Sequence, residues 1–136
     1  MRRRLAEARV AHLATVGPGG RPHIVPITFA LEGDDIYFAV DAKPKRTTDL
    51  QRLRNIRSNP SVSVLVDHYE DDWTHLWWVR ADGSARIAAA DAQSSRGLEL
   101  LVTRYPQYQR IRPPGPVVVI AIQSITGWAA NENPAC

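Results

Sequence analysis

Apolar positions along this 136-residue chain come in short runs parted by turn-forming residues. Val10 to Val16 is mostly apolar and ends at Gly17-Pro18-Gly19-Gly20, a strong turn signal. His23 to Leu31 reads as a second strand with Pro26 inside it. Proline cannot donate to a ladder, so Pro26 marks an edge, a bulge or a gap that faces a ligand. Glu32-Gly33-Asp34-Asp35 reads as a hairpin turn and Ile36 to Val40 as the third strand. Val62 to Val66 alternates with serine and reads as a fourth. His75 to Arg80 and Ala85 to Ala89 read as two strands flanking a hairpin at Ala81-Asp82-Gly83-Ser84. Val117 to Ile122 is a continuous apolar run, the mark of a buried strand, and Ile125 to Ala129 reads as a last short one.

Elsewhere the spacing is helical. Residues 2–9 suit a short amphipathic helix. From Thr48 to Asn59, Leu50, Leu53 and Ile56 recur on one face, with Thr48 or Asp49 as cap and Pro60 as terminator. Asp91 is placed to cap a helix that runs to Tyr105, with Leu98, Leu101, Val102 and Tyr105 inward and Pro106 ending it. The pattern therefore predicts a mainly β, α+β chain of six or seven strands with two to three helices. Hairpin-like connections favour an antiparallel barrel or sandwich over a parallel sheet. Gly17, Gly19 and Gly20 imitate a dinucleotide fingerprint, but a strand rather than a helix follows them, so that reading is rejected.

The length suits a single domain over residues 1–136. The lone cysteine, Cys136, permits neither an intramolecular disulfide nor a zinc cluster. No apolar run is long enough to span a membrane, and Arg2-Arg3-Arg4 is not followed by the apolar core of a secretory signal, so a cytoplasmic location is expected. Net charge is +3, too little for a protein built to coat nucleic acid. The charge is unevenly spread: residues 43–57 hold six cations against one anion, Asp49. That distribution suits a small anionic ligand.

Lys43 and Lys45 are the only lysines, and they run into Arg46, Thr47 and Thr48 between the third strand and the following helix. Cations and hydroxyls at a strand-to-helix junction form a candidate phosphate site. The bland alternative is a solvated basic face, the reading preferred for Arg54 and Arg57. His68, His75, Asp67, Asp71 and Asp72 gather around a turn but match no metal-binding spacing, so no metal is expected. His12 and His23 fall in strands and read as structural. No serine, cysteine or carboxylate set points to nucleophilic catalysis.

Several segments together resemble a known superfamily. Leu13-Ala14-Thr15-Val16 with Gly20-Arg21-Pro22-His23-Ile24-Val25-Pro26-Ile27 is similar to the opening strands of the pyridoxamine-phosphate-oxidase-like split β-barrels, which bind flavin. Arg52-Leu53-Arg54-Asn55-Ile56 with Asn59-Pro60 resembles their basic helix, Val62-Ser63-Val64-Leu65-Val66-Asp67 the next strand, and Trp77 to Ala85 the strand pair with its Gly-x-Ala element. Within the superfamily the chain looks most like the actinobacterial branch of deazaflavin-dependent enzymes. The resemblance implies a six- to seven-stranded antiparallel split β-barrel that forms a homodimer with two cofactor sites at the interface.

It further implies that Val25, Pro26, Ile27 and Thr28 lie along the ring of coenzyme F420, with FMN as the alternative. The phosphate falls to two candidate sets, Lys45, Arg46 and Thr47 before the helix, and Arg52 within it. Surplus arginines, Arg2 to Arg4 among them, could meet the longer acidic tail of F420. Trp77 and Trp78 should point to opposite faces of a strand, one into the core and Trp78 toward the ring across the dimer. Trp73 and Trp128 read as structural. The expected activity is hydride transfer between the deazaflavin and a small organic substrate. An FMN-dependent oxidoreductase and a non-enzymatic flavin- or F420-binding protein are the alternatives. Neither the catalytic acid nor the substrate is legible. Pyridoxamine-phosphate oxidase activity is disfavoured, because the C-terminal part lacks an arginine-bearing substrate motif.

Overall fold

A computed structural model describes residues 1–40 and 50–131. Seven strands form one antiparallel sheet: β1 (Ala11–Val16), β2 (Pro22–Ile27), β3 (Ala30–Glu32), β4 (Asp35–Ala39), β5 (Ser61–His68), β6 (Trp77–Ile87) and β7 (Val117–Ala129). Their spatial order is β2-β1-β5-β6-β7-β4-β3. Four helices accompany them: α1 (Arg2–Glu7), α2 (Gln51–Ser58), α3 (Ala92–Arg104) and α4 (Pro106–Arg110).

The segment His23 to Leu31 is two strands, not one. β2 and β3 stand at opposite edges of the sheet, yet only Thr28 and Phe29 separate them in sequence. Two residues reach opposite edges only if the sheet curls until those edges meet, because an extended chain gains at most about 3.5 Å per residue. The result is a split barrel, with the split at Thr28–Phe29.

The barrel interior takes alternate residues of each strand, among them Leu13, Ile27, Phe38, Val64, Val79, Val118 and Ile120. Leu53 and Ile56 of α2 pack into the same core. On the outside of β3, β4 and β7 a second cluster joins Tyr37, Ala39, Val117 and Val119 to Leu101, Tyr105 and Tyr108 of α3 and α4. β4 is thus covered on both faces, which is why Ile36 to Val40 is apolar without alternation.

One expected hairpin and one expected strand break dissolve. Trp77 to Ile87 is one strand, and Ala81-Asp82-Gly83-Ser84 lies inside it. Gly83 is needed for close approach and not for a turn: a Cβ there would sit 2.3 Å from the Ala121 carbonyl oxygen. Likewise Val117 to Ala129 is continuous. Asp82 faces Ser124 while Gly83 faces Ile122, so Gln123 is the extra residue of a bulge. The bulge moves the inward-facing positions from even to odd numbers, which made one strand look like two.

The helix expected from Thr48 begins later, at Gln51. Leu50 stands at its N-cap with no side-chain capping bond, and Thr48 and Asp49 lie outside the described residues. α3 is capped as expected, by Asp91, whose side chain accepts from Ser94 N–H while the Ser94 hydroxyl meets the Asp91 N–H. Pro106 ends α3 but also opens α4, its missing N–H costing nothing at a first helical position. Among the described residues no helix is long and apolar enough to cross a membrane.

Candidate cofactor site

The curl leaves a cleft of about 380 Å³ at the split, within the range of small-molecule sites. β2 supplies Val25, Pro26 and Ile27, and the break supplies Thr28. Phe38, Ala39 and Val40 form the facing wall, and Val10, Leu50, Arg52 and Tyr108 complete the lining. Most of these side chains are apolar, which suits a flat ring. The polar ones are Thr28, Arg52 and Tyr108.

The break itself is held by two phenols. Tyr105 OH accepts from Phe29 N–H at 3.0 Å, and it reaches the Phe29 and Arg9 carbonyl oxygens at 2.8 and 3.0 Å. Arg104 donates to the carbonyls of Phe29 and Ala8. The backbone freed where β2 ends is thereby satisfied from the helical layer. Tyr108 OH and Thr28 Oγ1 lie 2.8 Å apart, at the cleft.

Below Arg52, Asn55 is buried and joins α2 to β1. Its Nδ2 donates to Thr15 Oγ1 at 2.9 Å, and its Oδ1 accepts from Gln51 Nε2 at 2.6 Å. Arg52 stands one turn earlier on α2, half-buried.

Five of the sequence-derived site residues therefore converge: Val25, Pro26, Ile27, Thr28 and Arg52 all line one cleft. Pro26 lies on an edge strand, one of its expected readings, and borders the cleft. Lys45, Arg46 and Thr47 lie outside the described residues, although Val40 and Leu50, on either side of that segment, both border the cleft. Tyr108 was not anticipated. A tyrosine pair three residues apart across Pro106 was its available signal.

Trp78 lies elsewhere. Trp77 and Trp78 do point to opposite faces: Trp77 packs against the core, with the Arg4 guanidinium 4.9 Å from its ring centre. Trp78 belongs to an open hollow of about 480 Å³ on the outer sheet face, with His12, Ile24, Leu65, Tyr69 and Arg80 among its neighbours. Trp128 is directly opposite Trp78 on β7 and shares this face, so it is not a core residue; Trp73 is three-quarters exposed. His12 is likewise exposed, while His23 Nδ1 is buried with no hydrogen-bond partner among the described residues.

The N-terminal arginines are occupied away from the cleft. Arg2 pairs with Asp34 at 2.8 Å, Arg3 with Glu7 at 3.0 Å, and Arg4 covers Trp77. The polar turn after β5 is ordered around Glu70, whose carboxylate meets His68 on one oxygen and His75 Nδ1 on the other at 2.8 Å. Glu70 hydrogen bonding, followed by the Asp72 and Glu70 charges, raises the His75 pKa above its ordinary value. His68 and His75 in turn hold the Glu70 carboxyl below the usual range. Glu70, Asp72 and His75 are all exposed, and one ligand atom from each lies within 4.8 Å of the others, a closer grouping than their spacing in the chain suggested.

A curled antiparallel sheet with an apolar cleft at its split defines a split β-barrel, the fold expected from the resemblance. The chain belongs to the pyridoxamine 5'-phosphate oxidase family, whose sequence model matches residues 1–129. No curated protein sequence matches it. Solved structures share the fold at low identity. A conserved hypothetical protein of Mycobacterium tuberculosis, Rv2991, is 23% identical with a TM-score of 0.76, over 94% of this chain and 81% of that one. A FAD-binding protein of Mesorhizobium loti is 20% identical with a TM-score of 0.72, over 93% and 89%. A heme-binding protein of Mycobacterium smegmatis is 18% identical with a TM-score of 0.77, but the match spans 96% of this chain and only 52% of that one.

Proposed function

We propose that this protein is an oxidoreductase that holds coenzyme F420 in the cleft at the barrel split and exchanges hydride with a small organic substrate. One observation carries the reading: Val25 to Thr28 and Arg52, both marked by the family resemblance, line the same cleft. The apolar wall suits the ring, and Arg52 places a cation on the lining for a phosphate. When bound, the cofactor supplies the hydride chemistry, and the chain's part is to seat the ring, exclude water and pair the anion. The other phosphate candidates, Lys45, Arg46 and Thr47, rest on the sequence pattern alone and lie outside the described residues.

FMN is the second reading, favoured by the flavin-binding neighbour and by the placing of Arg2, Arg3 and Arg4 on other partners. F420 is preferred because its carboxylate-bearing tail calls for more cations than one phosphate does, and Lys43, Lys45 and Arg46 stand in the sequence beside Arg52. The protein is a homodimer joined through the outer sheet face, where Trp78 of one copy approaches the ring held by the other.

Titration of the purified protein with F420 and with FMN separates these readings. Binding of FMN with indifference to F420 would end the first, and binding of neither would end both. Tight binding without turnover across enones, quinones and nitroaromatics would point to a carrier or sensor. Arg52→Ala is expected to weaken the bound cofactor about 10- to 100-fold, the loss of one charge-assisted phosphate contact. Lys45→Ala with Arg46→Ala is expected to cost about 2–4 kcal/mol of binding, and an unchanged dissociation constant would remove both from the site.

A further inference from the structure

We infer that Tyr108 is a positioning residue for the cofactor: it fixes the hydroxyl of Thr28 so that Thr28 donates to a carbonyl on the ring's polar edge. This rests on the cofactor reading of the cleft. Thr28 Oγ1 and Tyr108 OH are 2.8 Å apart, Tyr108 is only 8% exposed, and both line the cleft. A threonine hydroxyl carries one hydrogen and can rotate it. When Tyr108 donates into a Thr28 lone pair, the Thr28 hydrogen must point away from Tyr108. Thr28 then offers a directed donor on an otherwise apolar wall.

Tyr105 and Tyr108 meet the break through different groups of it. Tyr105 is committed to the backbone of Phe29 and Arg9. Tyr108, one helical turn on, meets a side chain that borders the cleft. Pro106 starts the short helix that carries Tyr108, so both phenols descend on the same two-residue break from one corner. Of the polar cleft side chains, Arg52 is a permanent cation fitted to an anion. The hydroxyl pair is the neutral contact suited to a ring edge.

A flavin-type ring gains electron density on its carbonyl edge when reduced, and hydrogen bonds to electron-rich acceptors are the stronger ones. The Thr28 donor therefore favours the reduced ring. Tyr108→Phe and Thr28→Val should each weaken the reduced cofactor three- to tenfold more than the oxidised one. For a two-electron couple that difference lowers the midpoint potential of the bound cofactor by about 15–30 mV. The double variant should shift it no further than either single one, because both remove the same contact.

The test uses whichever of F420 and FMN binds the full-length protein. It measures the dissociation constant of each redox state and the midpoint potential for wild type, Tyr108→Phe, Thr28→Val, the double variant and Thr28→Ser. Thr28→Ser keeps the hydroxyl and should hold the wild-type potential. Tyr105→Phe is the control for damage to the fold: its melting temperature should fall while the potential stays. If Tyr108→Phe fails to fold, Tyr108→Met, whose flexible side chain fills the same space without a hydroxyl, takes its place, and an unmoved potential there overturns the role of Tyr108. Binding of neither cofactor overturns the cleft reading itself. Cofactor binding with an unmoved potential in Tyr108→Phe, or shifts that add in the double variant, overturns the role of Tyr108 and leaves the cleft reading standing.

Discussion

Tyr105 matters to stability in a way that its exposure alone does not convey. Its hydroxyl satisfies a backbone N–H that has left one strand without entering the next. Tyr105→Phe strands that group, and an unpaired buried donor costs about 1–3 kcal/mol, measurable by urea unfolding. Asn55 presents the same logic at α2, where Thr15 is buried and depends on it. The family-like run Arg52 to Ile56 showed Asn55 in the sequence, but not that its partners would be Thr15 and Gln51. At the acidic turn, His75 has a raised pKa, so its contact with Glu70 adds stability below the unfolded histidine value and loses it as pH rises through the folded one. The Glu70 carboxyl is lowered, so its share is present above the unfolded carboxylate value and is lost as pH falls through the folded one. His75→Gln should therefore flatten the stability profile just above roughly pH 6.5. A wild-type His75 ring titrating by NMR at or below the free value would refute the contact.

Among elements, glycines misled the sequence reading most. Asp82-Gly83-Ser84 carries turn chemistry, yet β6 runs straight through it because β7 presses its Ala121 carbonyl against Gly83. No local signal distinguishes a glycine chosen for a turn from one chosen for contact with a strand some forty residues on. Gly97 acts similarly on α3: a Cβ there would lie 2.4 Å from the Tyr37 ring. Gly97→Ala should push the helix off β4 and cost about 1–3 kcal/mol despite alanine's better helix propensity, an outcome that thermal unfolding would show directly. Capping and periodicity were legible where they were local, as in the start of α3 at Asp91 and its end before Pro106. The division of His23–Leu31 was not, because the two halves differ only in which distant strand each one pairs with.

For the molecule as a whole, the open outer face is the feature with the widest reach. Ile24 is 65% exposed and Trp128 47%, on the same face as Leu65 and Trp78. Exposed apolar side chains gathered on one sheet face mark an association surface. Leu65→Arg should accordingly convert the proposed dimer to monomer in sedimentation, and weaken the cofactor along with it if the partner's Trp78 completes the site. A monomeric wild type would remove that arrangement. Val25 to Thr28 and Arg52 were legible because the family resemblance marked both segments, although Arg52 lies 24 positions after Thr28. The contribution of Tyr108 was not, because only folding of the helical layer over the break brings it there.

The two-residue connection from β2 to β3 also acts as a tether of fixed length. Three peptide steps from Ile27 to Ala30 span at most about 11 Å, however the rest of the barrel breathes. At that end the two walls of the cleft cannot separate, so any widening to admit or release a ligand must be a pivot about Thr28–Phe29. Motion then grows with distance from the pivot. Glycines inserted between Thr28 and Phe29 would turn the hinge into a slack joint and should speed cofactor release more than they slow its capture.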